Sequence, residues 1–174
     1  MAPSHRSPRC SPRFPTKPGS STATGSTPIF WDAATGSYQA HFQTWVIRGQ
    51  GRTMLVDTGL SNDKPRSHEL LDRRDGDYLR QLAAIGVRPE DVDTVVNTHL
   101  HGDHIGWNTR LLDGAWVPTF PNAQYLMHRA DFDYWNPANN VPRRSDFGDV
   151  SDIRAAFDDS VLPIEQAGQA VLRC

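Results

Sequence analysis

An α/β fold, with sheet and helices in separate layers, is what this sequence predicts. Three observations point to it. Segments with an apolar period of two alternate with segments of helical spacing along the chain. Two of the strand-like segments are joined by Gly49-Gln50-Gly51, a hairpin signal. The chain's 174 residues, 37% of them hydrophobic, are enough for one domain or part of a larger one.

The elements follow in order. Residues 1–27 contain Pro3, Pro8, Pro12, Pro15 and Pro18, many Ser and Thr, four basic residues and no acid. Such a stretch buries too little apolar surface to offset its ordering entropy, so a disordered tail is expected, with the folded domain over 28–174. From Tyr38 to Arg48 the chain alternates, with Ala40, Phe42, Thr44 and Val46 on one side and His41, Gln43, Trp45 and Ile47 on the other. That predicts a strand. Thr53 to Val56 forms the return strand, ending in Asp57-Thr58-Gly59, an acid delivered at a strand end before a bend that glycine permits. Asp77 to Ile85 reads as a helix with Leu79, Leu82, Ala83 and Ile85 as its apolar stripe, closed by Gly86. After the turn Pro89-Glu90-Asp91 comes a short strand, Val92 to Asn97. Ala123 to Met127 is a further strand, Arg129 to Trp135 a helical turn or two, and Asn136 to Asp149 a loop. Val150 to Phe157 is a second helix and Ala170 to Arg173 the start of another strand.

Composition excludes several classes. Mean hydropathy is −0.57, and no apolar run approaches the roughly 20 residues that span a bilayer. A net charge of −2 argues against a nucleic-acid or membrane-surface partner. The tail has no apolar core of the secretory-signal type. Cys10 and Cys174 stand near opposite ends, too far apart in sequence for a close ligand pair, and fit a reduced, cytoplasmic setting. Arg outnumbers Lys sixteen to two, which reads as coding bias.

The chemistry concentrates in Thr98-His99-Leu100-His101-Gly102-Asp103-His104. His99 and His101 lie two apart at a strand end, so their rings project to the same side. Gly102 lets the chain turn and bring in Asp103 and His104. Three imidazoles and a carboxylate within six residues suit Zn2+ or another divalent metal taking N and O ligands. One ion takes His99 and His101, and a neighbouring ion takes Asp103 and His104. Such a pair lowers the pKa of a shared water and polarises a carbonyl or phosphoryl oxygen. His5, His41, His68 and His128 read as ordinary surface or core histidines. Trp107 and Asn108 either line a pocket or pack beneath the loop.

His99-x-His101-x-Asp103-His104 resembles the HxHxDH signature of the metallo-β-lactamase superfamily, and Asp57-Thr58-Gly59 resembles the strand-end acid motif that precedes it there. The segments Gly106-Trp107-Asn108-Thr109, Val117-Pro118-Thr119-Phe120-Pro121-Asn122-Ala123 and Asp159-Ser160-Val161-Leu162-Pro163 look like a bacterial subgroup related to quorum-quenching lactonases. The resemblance covers roughly Ile29 to Leu172. It implies the N-terminal half of an αβ/βα sandwich, a mixed sheet with helices packed on one face. It also implies metal ligation by His99, His101, Asp103 and His104, proton handling by Asp103, and an orienting hydrogen bond from Asp57 to a ligand. Capping of local amides is the competing role for Asp57.

In that family a further αβ unit supplies a third histidine and a bridging aspartate, and then a last histidine. Nothing after His104 fills those places here, so a domain incomplete at its C-terminal end is expected. The resemblance implies a hydrolase that opens a lactone or a similar ester or amide through a metal-activated hydroxide. A thioesterase or phosphodiesterase of the same fold, or a non-catalytic metal-binding module, are the alternatives. The partners implied are a small-molecule substrate and either a complementing C-terminal half or a second copy of the chain.

Overall fold

The computed structural model of the chain describes residues 31–32, 37–38, 42–69, 71–139 and 150–174. The chain divides into two units, Met1–Ala40 and His41–Cys174. In the first, β1 (Trp31–Asp32) pairs antiparallel with β2 (Ser37–Tyr38). The tail expected over residues 1–27 lies outside the described residues.

The second unit is built on a five-stranded mixed sheet. Its strands are β3 (Trp45–Gly49), β4 (Arg52–Val56), β5 (Thr94–Val96), β8 (Gln124–His128) and β9 (Ala170–Arg173), side by side in that order. β3 and β4 form the antiparallel hairpin, and the other three pairings are parallel. Gln50 and Gly51 both take positive φ, 52° and 73°, the turn whose twist suits a two-residue hairpin.

Of the strand expected from Tyr38 to Arg48, residues 39–41 lie outside the described residues, and 42–48 join this sheet only from Trp45 onward. Trp45 pairs with Val56, and the next residue, Asp57, leaves the strand direction with φ 55°, so nothing remains for residues 42–44 to pair with.

Burial follows the pleat. Val46, Leu55, Val95, Tyr125 and Ala170 are register partners on one face, and Leu55, Val95 and Tyr125 are wholly inaccessible. They share a core with Leu82, Phe132, Trp135, Phe157 and Ile164 from the helices. Removing each such side chain from water stabilises the fold by about 1.5–3 kcal/mol. The opposite face is also apolar but more open: Trp45 is 66% and Ile47 53% exposed. Among the described residues the helices therefore pack on one face, as the resemblance implies.

Helix α1 (Tyr78–Ala84) ends at Gly86, whose φ of 74° turns the chain so that the Val87 amide reaches the Leu82 carbonyl at 2.9 Å. Its buried stripe differs from the expected one. Leu82 is buried with Tyr78 and Leu79 against it, whereas Ala83 and Ile85 are exposed. Two of the four expected stripe residues, Leu79 and Leu82, thus pack into the core, with Tyr78 beside them. α3 (Arg129–Trp135) has the expected bounds, and α4 (Val150–Ser160) runs on past Phe157. Between the histidine loop and β8 lies a hairpin absent from the sequence reading, β6 (Thr109–Leu112) and β7 (Ala115–Pro118), turning at Asp113 and Gly114. Two short helices were also unassigned, α2 (Gly102–Ile105) and α5 (Leu162–Gln166). No helix among the described residues is long and apolar enough to cross a membrane.

Candidate metal centre

β5 ends at Val96, and the parallel register points its C-terminal end toward the histidine loop. The loop is held by two carboxylates from elsewhere in the chain. Asp57 accepts the Thr98 amide on one oxygen (2.8 Å) and the Thr98 hydroxyl on the other (2.7 Å). That second oxygen lies 2.8 Å from His104 Nδ1. Because the carboxylate oxygen accepts, Nδ1 carries a proton, and Nε2 is the ring atom left to face Asp103. The second carboxylate is Asp131 at the start of α3. It accepts the Leu100 amide at 2.6 Å and the Trp135 indole N–H at 2.9 Å, and Trp135 meets the His101 ring edge-on at 5.3 Å.

The turn after His101 is helical: His104 and Ile105 donate their amides to the His101 carbonyl, at 2.9 and 3.2 Å. The sharp glycine bend expected at Gly102 is therefore the first residue of α2, with no positive φ. This helical turn brings the rings together. The His99 ring centroid lies 3.9 Å from that of His104 and 4.6 Å from that of His101, and His104 Nε2 is 3.4 Å from an Asp103 oxygen. All four side chains are half-buried. Burial first, then the neighbouring His104 and His101, lowers the His99 pKa and favours the neutral imidazole that ligates metals.

The donor chemistry is of the kind that divalent metals take: three imidazoles, one of them oriented by a carboxylate, beside the Asp103 carboxylate. The number of donors falls short. Among the described residues no group of three His, Cys, Asp or Glu side chains is placed to hold a metal ion, where three or four protein donors are usual.

Of the remaining sequence-flagged residues, Trp107 packs rather than lines: it is 6% exposed and stacks on Tyr78 at 5.3 Å. Asn108 is fully buried, accepts the Thr58 hydroxyl at 3.0 Å, and exchanges side-chain hydrogen bonds with Asn97. His68 and His128 are exposed, and His41 lies outside the described residues. A cleft of about 580 Å³ opens beside His101 and Asp103, with Phe42, Leu60, Leu71 and Leu100 as its apolar wall.

Sequence reasoning missed Asp131, whose only local signal is an acid just after the strand neighbouring the loop. It also missed Lys64, 3% exposed and paired with Asp159 at 3.3 Å. Burial lowers the Lys64 pKa from 10.5 to about 8, with the attraction of Asp159 opposing the fall. Between those values the unfolded chain binds more protons than the folded one, so unfolding free energy rises with pH through that window. Tyr78, raised to about 12, and Tyr125, also raised, are both held neutral mainly by burial. They remove stability once pH passes about 10. Urea unfolding should therefore show stability rising from pH 8 toward pH 10, with that rise absent in Lys64→Met. A wild-type profile flat over that range would contradict the assignment.

A strand-end Asp57 holding a histidine of an HxHxDH loop, at the C-terminal ends of neighbouring parallel strands in a mixed sheet, defines a class. The chain belongs to the metallo-beta-lactamase superfamily, which its residues 43–170 match. Its particular relatives include the N-acyl homoserine lactonase AttM of Rhizobium radiobacter, 37% identical over 109 residues, 56% of this chain and 38% of the lactonase. Ribonuclease Z of Mycobacterium avium is 32% identical over 75 residues, 43% of this chain and 21% of that enzyme. Among solved structures, the hydrolase AbOPH of the beta lactamase superfamily superposes with TM-score 0.53 at 24% identity, covering 71% of this chain and 40% of that one. The chain thus spans about two fifths or less of the length of these relatives.

Proposed function

We propose that the chain carries the first half of the metal site of a hydrolase that opens a lactone or cleaves a similar ester or amide. The observation that carries this reading is the 2.8 Å contact between Asp57 and His104 Nδ1, which leaves Nε2 free beside His99, His101 and Asp103. In this reading His99 and His101 hold one ion, Zn2+ or another divalent metal, and Asp103 and His104 hold a second. Bound metal supplies Lewis acidity, lowering the pKa of water and polarising the carbonyl oxygen. Asp103, half-buried at the cleft, takes up and returns protons, while Asp57 fixes the tautomer of His104. The apolar wall of Phe42, Leu60, Leu71 and Leu100 receives the acyl part of the substrate and excludes water from it.

In this reading the further donors belong to a following αβ unit, on the same or a complementing chain, or to a second copy of the chain, in the cytoplasm. The relative named as a lactonase supports an acyl-homoserine lactone as the substrate to test.

The test is hydrolysis of such lactones by this chain together with the complementary half. His99→Ala and Asp103→Ala are each expected to lower the rate more than about 100-fold. Full activity in both variants would overturn the proposal. The match to ribonuclease Z favours a second reading, a phosphodiesterase built on the same loop. A phosphodiester turned over faster than lactones and thioesters in one substrate panel would select it.

A further inference from the structure

Lys64 is one of two lysines in a chain with sixteen arginines, and it is the most deeply buried basic group described. Its ammonium has three N–H groups, and each has an acceptor: the Gly106 carbonyl at 2.7 Å, the Thr109 hydroxyl at 2.9 Å and the Ser160 hydroxyl. Asp159 balances the charge at 3.3 Å, and the Trp116 ring covers the ammonium at 4.9 Å. The acceptors are held in turn. Ser160 donates to Asp159 at 2.6 Å, Thr109 donates to the Asp159 carbonyl, and Arg66 grips Asp159 with two hydrogen bonds of 2.7 and 3.1 Å. An arginine fork does not fit three acceptors converging on one point, whereas a compact ammonium does. With every donor engaged, Lys64 has none left for a ligand in the adjoining cleft.

Lys64 does reach the metal-ligand turn. Gly106 follows His104 by two residues and closes the helical turn that carries Asp103 and His104. Its amide donates to the Gly59 carbonyl at 2.7 Å and its carbonyl accepts from Lys64, so both its polar backbone atoms are fixed by the segment that follows Asp57. The same segment orients His104 through Asp57 and through the Thr58 amide, which donates to the His104 carbonyl at 2.7 Å.

We propose that Lys64 is a positioning residue for the metal loop, its Asp159-anchored ammonium locking the Gly106 carbonyl and with it the placement of Asp103 and His104. The inference rests on the metal-site reading for its consequence, but the placement itself can be read without metal. Lys64→Met keeps the side-chain length and removes the three hydrogen bonds.

Two measurements on the full chain test it. Long-range 1H–15N spectra of histidine-labelled, metal-free protein at neutral pH report the His104 tautomer. Titration with Co2+ reports affinity. The wild type should show a protonated Nδ1 on His104. Lys64→Met should mix the two tautomers and weaken Co2+ binding about tenfold, with the far-UV dichroism unchanged. If Lys64→Met does not fold, Thr109→Val removes one of the three acceptors at nearly constant volume and should shift the same His104 signals with a several-fold affinity loss. Unchanged His104 signals in a folded variant would overturn the proposal. Absence of Co2+ binding by the wild type would count against the metal-site reading alone, leaving the spectra to decide on Lys64.

Discussion

Replacing Gly106 by alanine is expected to destabilise the protein by at least about 3 kcal/mol, and so to lower its melting temperature by many degrees. The residue has helical φ, so conformational freedom is not why glycine stands there. Space is the reason. A Cβ at this position would meet the Gly59 carbonyl oxygen, the Ser61 amide nitrogen at 2.5 Å and the Leu60 carbonyl carbon at 2.8 Å. These are backbone atoms, and their segment is tied down by Asp57, Thr58 and Lys64. No side chain can swing aside to relieve the clash. Gly114 provides the contrast. Its φ is 81° with nothing within 4 Å of a Cβ, so Gly114→Ala should cost only the strain of the left-handed region, about 1 kcal/mol. Thermal denaturation of the two variants side by side checks the difference. Equal losses would show that the approach of Gly106 to the Gly59–Ser61 backbone is not a tight constraint.

The second large effect concerns Asp57. Its φ of 55° is tolerated by Asp and Asn better than by other side-chain-bearing residues, so Asp57→Asn preserves the backbone. The amide nitrogen of asparagine, however, cannot accept. With that nitrogen in place of the oxygen shared by Thr98 Oγ1 and His104 Nδ1–H, both lose their acceptor, and the His104 proton is driven toward Nε2, the atom facing Asp103. Metal affinity should fall about 10- to 100-fold while stability changes little. Asp57→Ala should lose the same affinity and also stability, since three hydrogen bonds to a carboxylate vanish together, each about 1.5–3 kcal/mol. If Asp57→Asn binds Co2+ as tightly as the wild type, Asp57 caps local amides and does not set the tautomer of His104. The structure shows it touching both kinds of partner, the Thr98 amide and the His104 ring.

Local pattern made much of this molecule legible in advance. The hairpin around Gln50-Gly51, the helix Arg129–Trp135, the strand Ala170–Arg173 and the donor-rich loop His99–His104 all lie within short windows. There, side-chain period, turn residues and ligand spacing act on neighbouring positions. The β6–β7 hairpin was legible too. Asp113-Gly114 between Leu112 and Ala115 is a turn signal of the same kind, although the flanking segments lack a strong apolar alternation.

What the sequence determined by itself is the family and the loop that marks it, because four donor side chains in six residues are a statement about adjacent positions. Tertiary structure alone decided how that loop is held. The hydrogen bonds that fix it span 41 residues from Thr98 to Asp57, 31 from Leu100 to Asp131 and 42 from Lys64 to Gly106. The ion pair behind Lys64 reaches Asp159 from still further along the chain. No periodicity encodes such contacts. They form only when the parallel register of β4, β5 and β8 brings the ends of those strands to one edge, so that segments remote in sequence share a desolvated polar cluster.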